Sequence, residues 1–314
     1  MKTTLFKRKA LAFLGAAAVL LAAVFTAGCA NGTGDGATGG NSGSGNGSYV
    51  AVPFGELDSY LKIKASATGV NYIEVTRLTA ADLKGSYNSN IRTFEPSKLG
   101  KILKDNGTKK VALKLGGRIE GLTDMSYCFK GCESLVQAPE IPAGVTNIED
   151  CFSLCTSLTQ VPTIPASVTE IKSCFFRCTS LTRAPVILAS ITDMRSCFRD
   201  CTNLTQVPTI PDGVTDMRTC FYNCTSLKQA PEIPVSVTTM ALCFSGCTKL
   251  EKAVLKCNYN PAEMYGRPAF KDAFSGCTSL MKGSITVPKG QLLIYANNAD
   301  TMGANAEWFA SNQL

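Results

Sequence analysis

The chain has 314 residues, 45% of them apolar, and its 31 Lys and Arg against 24 Asp and Glu give a net charge of +7. Histidine is absent, so a Ser-His-Asp triad, a Cys-His pair and a histidine-ligated metal site are all excluded. Four of the bases lie in the first nine residues; without them 27 bases face 24 acids, and a charge of +3 is too mild to argue for nucleic acid.

Lys2, Lys7, Arg8 and Lys9 open a targeting segment. Ala10 to Phe25 follows as a run of 16 residues in which Gly15 is the only non-apolar member. Thr26-Ala27-Gly28-Cys29 then resembles the lipobox of bacterial lipoproteins. The competing reading is a transmembrane anchor, but the run is short for a span and small residues end it at a cysteine. The resemblance implies that residues 1–28 are a signal peptide cut off before Cys29, whose thiol carries a diacylglycerol. With a further amide-linked acyl chain, such a lipid anchors a protein stably to a membrane. Ala30 stands where aspartate would retain the protein at the inner membrane; by resemblance to the sorting rule of enteric bacteria, this favours the outer membrane. The lipidated cysteine and a linker make up residues 29–48. Residues 31–48 are almost all Gly, Ser, Asn and Thr, which bury no core and form a flexible tether.

Residues 49–117 do not repeat. Leu57, Tyr60 and Leu61 have helical spacing within 55–63, and Tyr72 to Val75 reads as a strand. Pro96 to Lys104 reads as a helix stopped by Asn106-Gly107, and Val111 to Leu115 alternates as a strand does. This segment is expected to be an α/β cap over the exposed end of a repeat array.

From 118 to 288 the sequence repeats with a step of 23 residues. Cys-Phe recurs at Phe129, Phe152, Phe175, Phe198, Phe221 and Phe244, and a second cysteine follows each first one by four, from Cys132 to Cys247. Leu135, Leu158, Leu181, Leu204, Leu227 and Leu250 keep the same step. Self-similarity at this period marks a solenoid, in which each coil buries its apolar face only against its neighbours. Within one coil, Leu158, Val161, Ile164, Val168, Ile171, Cys174, Phe175 and Cys178 are expected to point inward. The phenylalanines should stack into one spine, continued at Phe274. Pro139, Pro162, Pro185, Pro208 and Pro231 donate no backbone hydrogen bond, so the sheet there must be narrow. The last coil departs from the pattern: Ala273-Phe274 replaces Cys-Phe 30 residues after the previous unit, with 258–267 as an extra loop. Ile285 to Pro288 is predicted as the final strand. Residues 289–314 form a C-terminal cap, closed around Ala304 to Phe309 with the only tryptophan, Trp308.

The coil Leu-x5-Ile-Pro-x2-Val-Thr-x-Ile/Met-x3-Phe-x2-Cys-Thr-Ser-Leu resembles the BspA-like leucine-rich repeats found in surface proteins of treponemes and Bacteroides-group bacteria. The resemblance covers residues 111–288. That family has Ala-Phe-x2-Cys where this chain has Cys-Phe-x2-Cys, and Ala273-Phe274 keeps the family form. The fold so implied is an α/β repeat solenoid of leucine-rich-repeat coils with short parallel strands and a non-repeating α/β N-terminal cap. The family members are exported adhesins or host-interaction proteins.

Twelve cysteines come as Cys-x3-Cys pairs. Zinc sites prefer a two-residue gap, and each pair lacks a second ligand pair in its own coil, so no metal or other cofactor is expected. Export permits disulfides. On a helical turn, however, Cβ atoms four residues apart lie about 6 Å apart, beyond the ~3.8 Å a disulfide wants. Reduced thiols packed as small hydrophobes are the favoured reading, disulfides the alternative. Cys257 has no counterpart and is free or pairs locally.

Two outward rows are candidate binding rows. Glu170, Asp193 and Asp216 recur at one position, with Lys172, Arg195 and Arg218 two residues on; this charge ladder either neutralises itself across coils or recognises a partner. Gln160, Arg183, Gln206 and Gln229 form a second, polar row. No catalytic residue emerges, and a repeated surface favours binding over catalysis. The expectation is a lipid-anchored protein of the outer membrane or cell surface. It would touch the membrane through Cys29, bind a protein or matrix macromolecule and take no nucleic acid. The alternative is a periplasm-facing structural or scaffold lipoprotein without a host ligand.

Overall fold

In the computed structural model the described residues are 47–264 and 266–312; the leader, Cys29 and the linker as far as residue 46 lie outside them. Chain order begins with strand β1 (Val50–Pro53), helix α1 (Leu57–Ile63) and strand β2 (Asn71–Thr76). A hairpin comes next, β3 (Ser86–Asn88) and β4 (Thr93–Glu95), then α2 (Lys98–Asp105), β5 (Val111–Leu115) and β6 (Leu135–Gln137). Strands β1, β2, β5 and β6 lie in that order and all parallel. Strand β2 shows why: Asn71, Ile73 and Val75 alternate inward on one face. The cap therefore continues the sheet of the first coil rather than sitting beside it.

Helix α2 is fastened to that coil by its cap. Ser97 Oγ accepts from Gly100 N at 3.0 Å and donates to the Cys128 carbonyl at 2.9 Å. Leu99 and Leu103 are buried, and Gly100 lies directly against the Cys128 carbonyl, where a Cβ has no room. The hairpin, which has no counterpart among the expected elements, pairs Tyr87 with Phe94 and lays Phe94 5.1 Å from the Tyr127 ring. Lys130 Nζ sits 3.8 Å from the Phe94 centroid and 2.6 Å from Asp150.

Each coil of the array joins its neighbours along three lines. The first carries β6 and then only single parallel bridges, Gln137 to Gln160 and Arg183 to Gln206. Proline in the second position after the bridge removes the next donor, as its spacing predicts. Fuller strands return in β7 (Gln229–Ile233) and β8 (Lys252–Leu255), which β11 (Ile285–Val287) and β12 (Phe309–Ser311) extend in parallel. Between them the insertion forms a small antiparallel hairpin, β9 (Glu263–Met264) and β10 (Arg267–Pro268). The second line bridges Asp124 to Asn147 to Glu170, and Asp193 to Asp216 to Thr239. The third is the Cys-Phe-x2-Cys stretch.

That third line is not a helical turn, which corrects the geometry assumed for the cysteine pairs. It is a string of turns in which backbone N–H groups alternate. Cys151 N bonds back to Ile148 O at 3.1 Å, and Phe152 N bonds across to Cys174 O at 2.9 Å. Two left-handed residues per coil make the alternation possible, such as Asp150 (φ 54°) and Leu154 (φ 64°), or Ser196 (φ 54°) and Asp200 (φ 58°). The C-terminal cap adds helix α3 (Leu292–Asn297), unforeseen in the sequence, and buries Tyr295 and Phe309 over the last coil.

Candidate functional site

The interior of the array is a column of rings and a column of thiols. Phe129, Phe152, Phe175, Phe198, Phe221, Phe244 and Phe274 are fully buried, with successive centroids 5.5 to 5.7 Å apart and planes within 13° of parallel. Such spacing is offset stacking. From Cys155 onward the cysteine three residues after each spine phenylalanine donates its S–H to the spine phenylalanine carbonyl of the preceding coil, Cys155 to Phe129 O at 3.1 Å, Cys201 to Phe175 O at 3.0 Å and Cys277 to Phe244 O at 3.1 Å, while Cys132 in the first coil donates to Gly100 O of α2 at 3.2 Å. This is why Cys277 persists in the last coil while Ala273 fills the first slot. All fourteen described cysteines are free and buried. Burial, ahead of any neighbouring charge, pushes the thiols of Cys174, Cys178, Cys197 and Cys220 well up, so the reactive thiolate is withheld. Cys257 pairs with no other cysteine; its Sγ lies 3.6 Å from the Tyr295 hydroxyl.

The two candidate rows behave differently. In the charge ladder, Lys172 reaches Glu170 at 3.0 Å and Asp193 at 3.6 Å. Arg195 reaches Asp193 at 2.9 Å and Asp216 at 3.5 Å, and Arg218 reaches Asp216 at 2.6 Å. Each cation thus bridges its own acid, and in two coils that of the next. Burial would lower the Lys172 ammonium, but its bond to Glu170 and the charge of Asp193 hold it above the ordinary lysine value. The ladder is engaged with itself. Gln160, Arg183, Gln206 and Gln229 instead lie exposed at one-coil intervals; the backbone bridges Gln160 to Gln137, Arg183 to Gln206 and Gln229 to Lys252, and the four side chains make no hydrogen bond among the described residues. A third column is the residue after each spine phenylalanine, half-buried at Phe176, Arg199 and Tyr222; its signal in the sequence is that these three interrupt a position otherwise held by Lys130 and serines.

Among the described residues no group of three or more Cys, Asp or Glu is placed to hold a metal ion. No described helix is long and apolar enough to cross a membrane. A cleft of about 750 Å³ at the first coil, lined by residues 117–123 and 142–144, offers Arg118 and Glu120 as its titratable groups, which is no catalytic constellation.

The profile of the BspA type leucine rich repeat region matches six copies, over residues 124–251 and 185–288. The chain belongs to this family. BspA-type leucine-rich repeats are protein-interaction modules, typically binding scaffolds without enzymatic activity. Among solved structures, the chain is similar to the leucine-rich repeat protein of T. pallidum, at 24% identity and a TM-score of 0.49, covering 65% of this chain and 90% of that one. It is similar to a leucine-rich cell surface protein of Faecalibacterium prausnitzii, at 24% identity and a TM-score of 0.40, covering 57% and 54%. A leucine-rich repeat protein of Bacteroides ovatus matches at 18% identity and a TM-score of 0.25, covering 65% and 84%. No curated protein matches.

Proposed function

We propose that this BspA-type repeat protein is lipid-anchored at Cys29, exposed at the outer membrane or cell surface, and binds a protein or matrix macromolecule through its array. The observation that carries the reading is the contrast between the two rows. The charge ladder satisfies itself, whereas Gln160, Arg183, Gln206 and Gln229 leave their hydrogen-bonding groups to solvent at one-coil intervals. A row of that kind suits an extended partner contacted at many similar points. The lipobox-like Thr26-Ala27-Gly28-Cys29 and the Gly/Ser/Asn tether support anchorage with the array held off the membrane.

The test has two arms. Protease added to intact cells should remove the protein, and Cys29→Ser should abolish its membrane fractionation. Purified full chain should bind at least one member of a panel of immobilised matrix and bacterial surface proteins, and Gln160→Ala with Gln206→Ala and Gln229→Ala should weaken that binding. Protection from protease with no binding on the panel would instead assign an inward-facing scaffold.

A further inference from the structure

The residue after each spine phenylalanine is Ser153, Ser245 or Ser275 in three coils, the first two buried. In three consecutive middle coils it is Phe176, Arg199 and Tyr222. The Arg199 guanidinium carbon lies 5.6 Å from the Phe176 ring centroid and 4.9 Å from that of Tyr222. Arg177, beside Phe176, lies 5.4 Å from the same Phe176 ring. Aromatic faces thus hold two guanidinium groups.

The hydrogen-bonding capacity of these groups is not used. Arg199 Nε is enclosed and has no hydrogen-bond partner. Neither Arg177 nor Arg199 makes a side-chain hydrogen bond among the described residues. Both approach one carboxylate, Asp200, at 3.6 and 3.5 Å, and Asp200 already accepts from Asn223 Nδ2 at 3.1 Å. Arg195 and Arg218 in the adjacent ladder differ: the Nε of each donates to both oxygens of its own aspartate, at 2.9 to 3.1 Å. So two cations share one anion here, with side chains 57% and 40% exposed.

We propose that Arg177 and Arg199, braced by Phe176 and Tyr222, form a carboxylate-recognition site for an acidic segment of a protein partner. The proposal rests on the binding role proposed above and gives it one discrete site. A guanidinium fork receives a carboxylate through two parallel N–H···O bonds. Rings that already fix the fork reduce the rotamer entropy lost on binding. Arginine and tyrosine set together at the middle of a surface are also the residue types that dominate interface energies. An acidic saccharide fits less well. A sugar ring stacks on an open aromatic face, and here guanidinium groups already lie over the Phe176 and Tyr222 rings.

The probe is a fluorescently labelled random copolymer of glutamate and tyrosine, with polygalacturonate as the saccharide comparison, titrated against the full chain at physiological salt. Arg199→Ser and Tyr222→Ser install a residue the array already carries at that position, so folding is expected to persist, checked by circular dichroism. The expected result is copolymer binding that weakens about tenfold or more in Arg199→Ser. Arg199→Lys should weaken it nearly as much, because the fork is lost although the charge remains. Arg92→Ser, an exposed arginine in the turn of the β3–β4 hairpin and outside both rows, should leave it within about twofold. Equal weakening by Arg92→Ser would mean diffuse attraction by charge and overturn the site. Failure of the parent chain to bind the copolymer overturns it too, as does tighter, Arg199-dependent binding of polygalacturonate. If the panel of matrix and surface proteins binds nothing while the copolymer still binds through Arg199, the broader reading fails and this one stands. If panel binding persists in a chain that ignores the copolymer, this one fails and the broader reading stands.

Discussion

Phe198 sits between the rings of Phe175 and Phe221, each centroid 5.6 Å away, with no exposed surface. Its removal leaves a void that no small movement closes, because the rings above and below are held by their own coils. Phe198→Ala is expected to cost about 3–5 kcal/mol in denaturant unfolding. Arg195→Ala, three residues away, removes a side chain 37% exposed that is paired with Asp193 and Asp216. Solvent screens such pairs, so its cost should stay below about 1 kcal/mol. Equal losses would show that the spine does not bear the packing. The inward positions were legible from their step in the sequence, because a ring and two thiols at one interval can only pack against their own kind. What the second thiol does was not legible. Its bond to a phenylalanine carbonyl, as from Cys224 to Phe198 O at 3.1 Å, depends on the coil next door and has no trace within a single coil.

Helix α2 shows how the cap and the array depend on one close approach. Gly100 carries no side chain where the Cys128 carbonyl passes, and a methyl group there must displace either the helix or the coil. Gly100→Ala should therefore cost about 1–3 kcal/mol, although alanine favours helix intrinsically. Gly55, with nothing within 4 Å of an added Cβ, is the control, and Gly55→Ala should lie within about 0.5 kcal/mol of the parent. Thermal or denaturant unfolding of the two variants decides the matter, and a neutral Gly100→Ala would mean that the contact is slack. Helices α1 and α2 and strands β2 and β5 were readable because their apolar spacing is regular. The β3–β4 hairpin was not. Its Tyr87, Phe94 and Ile91 are 47, 40 and 65% exposed, and it is held by Lys130 and Tyr127 from the first coil rather than by its own periodicity. The turns of the Cys-Phe line were hidden for a related reason. Leu154 and Arg177 take left-handed backbone that their residue types disfavour, and the inter-coil bonds from Leu154 N to Phe176 O and Arg177 N to Arg199 O oblige them to.

A stacked array behaves as a sum of units and interfaces, since each coil touches only its neighbours. The fold should therefore tolerate loss of a whole coil and not of a fraction of one. Deleting residues 151–173 joins Asp150 to Cys174. Both Asp150 and the residue it replaces before that cysteine, Ser173, are left-handed, at φ 54° and 53°. The Phe129 ring then meets Phe175 at the spacing it had to Phe152, and the Cys178 thiol finds the Phe129 carbonyl in place of Phe152. The row at Gln137 meets Arg183 in the same way. This shortened chain should unfold cooperatively, with a denaturant m-value reduced in proportion to the lost surface. Deleting residues 151–172 removes one residue fewer. Ser173 is then left as an extra residue ahead of Cys174, so the inter-coil hydrogen bonds that alternate along the line fall out of step and the spine ring can no longer meet its partner. That chain should lose its cooperative transition, followed by circular dichroism across a urea series. If both deletions fold alike, the 23-residue step does not set the register. The Phe176, Arg199 and Tyr222 column lies outside the deleted segment, so copolymer binding by the 151–173 deletion should match that of the full chain.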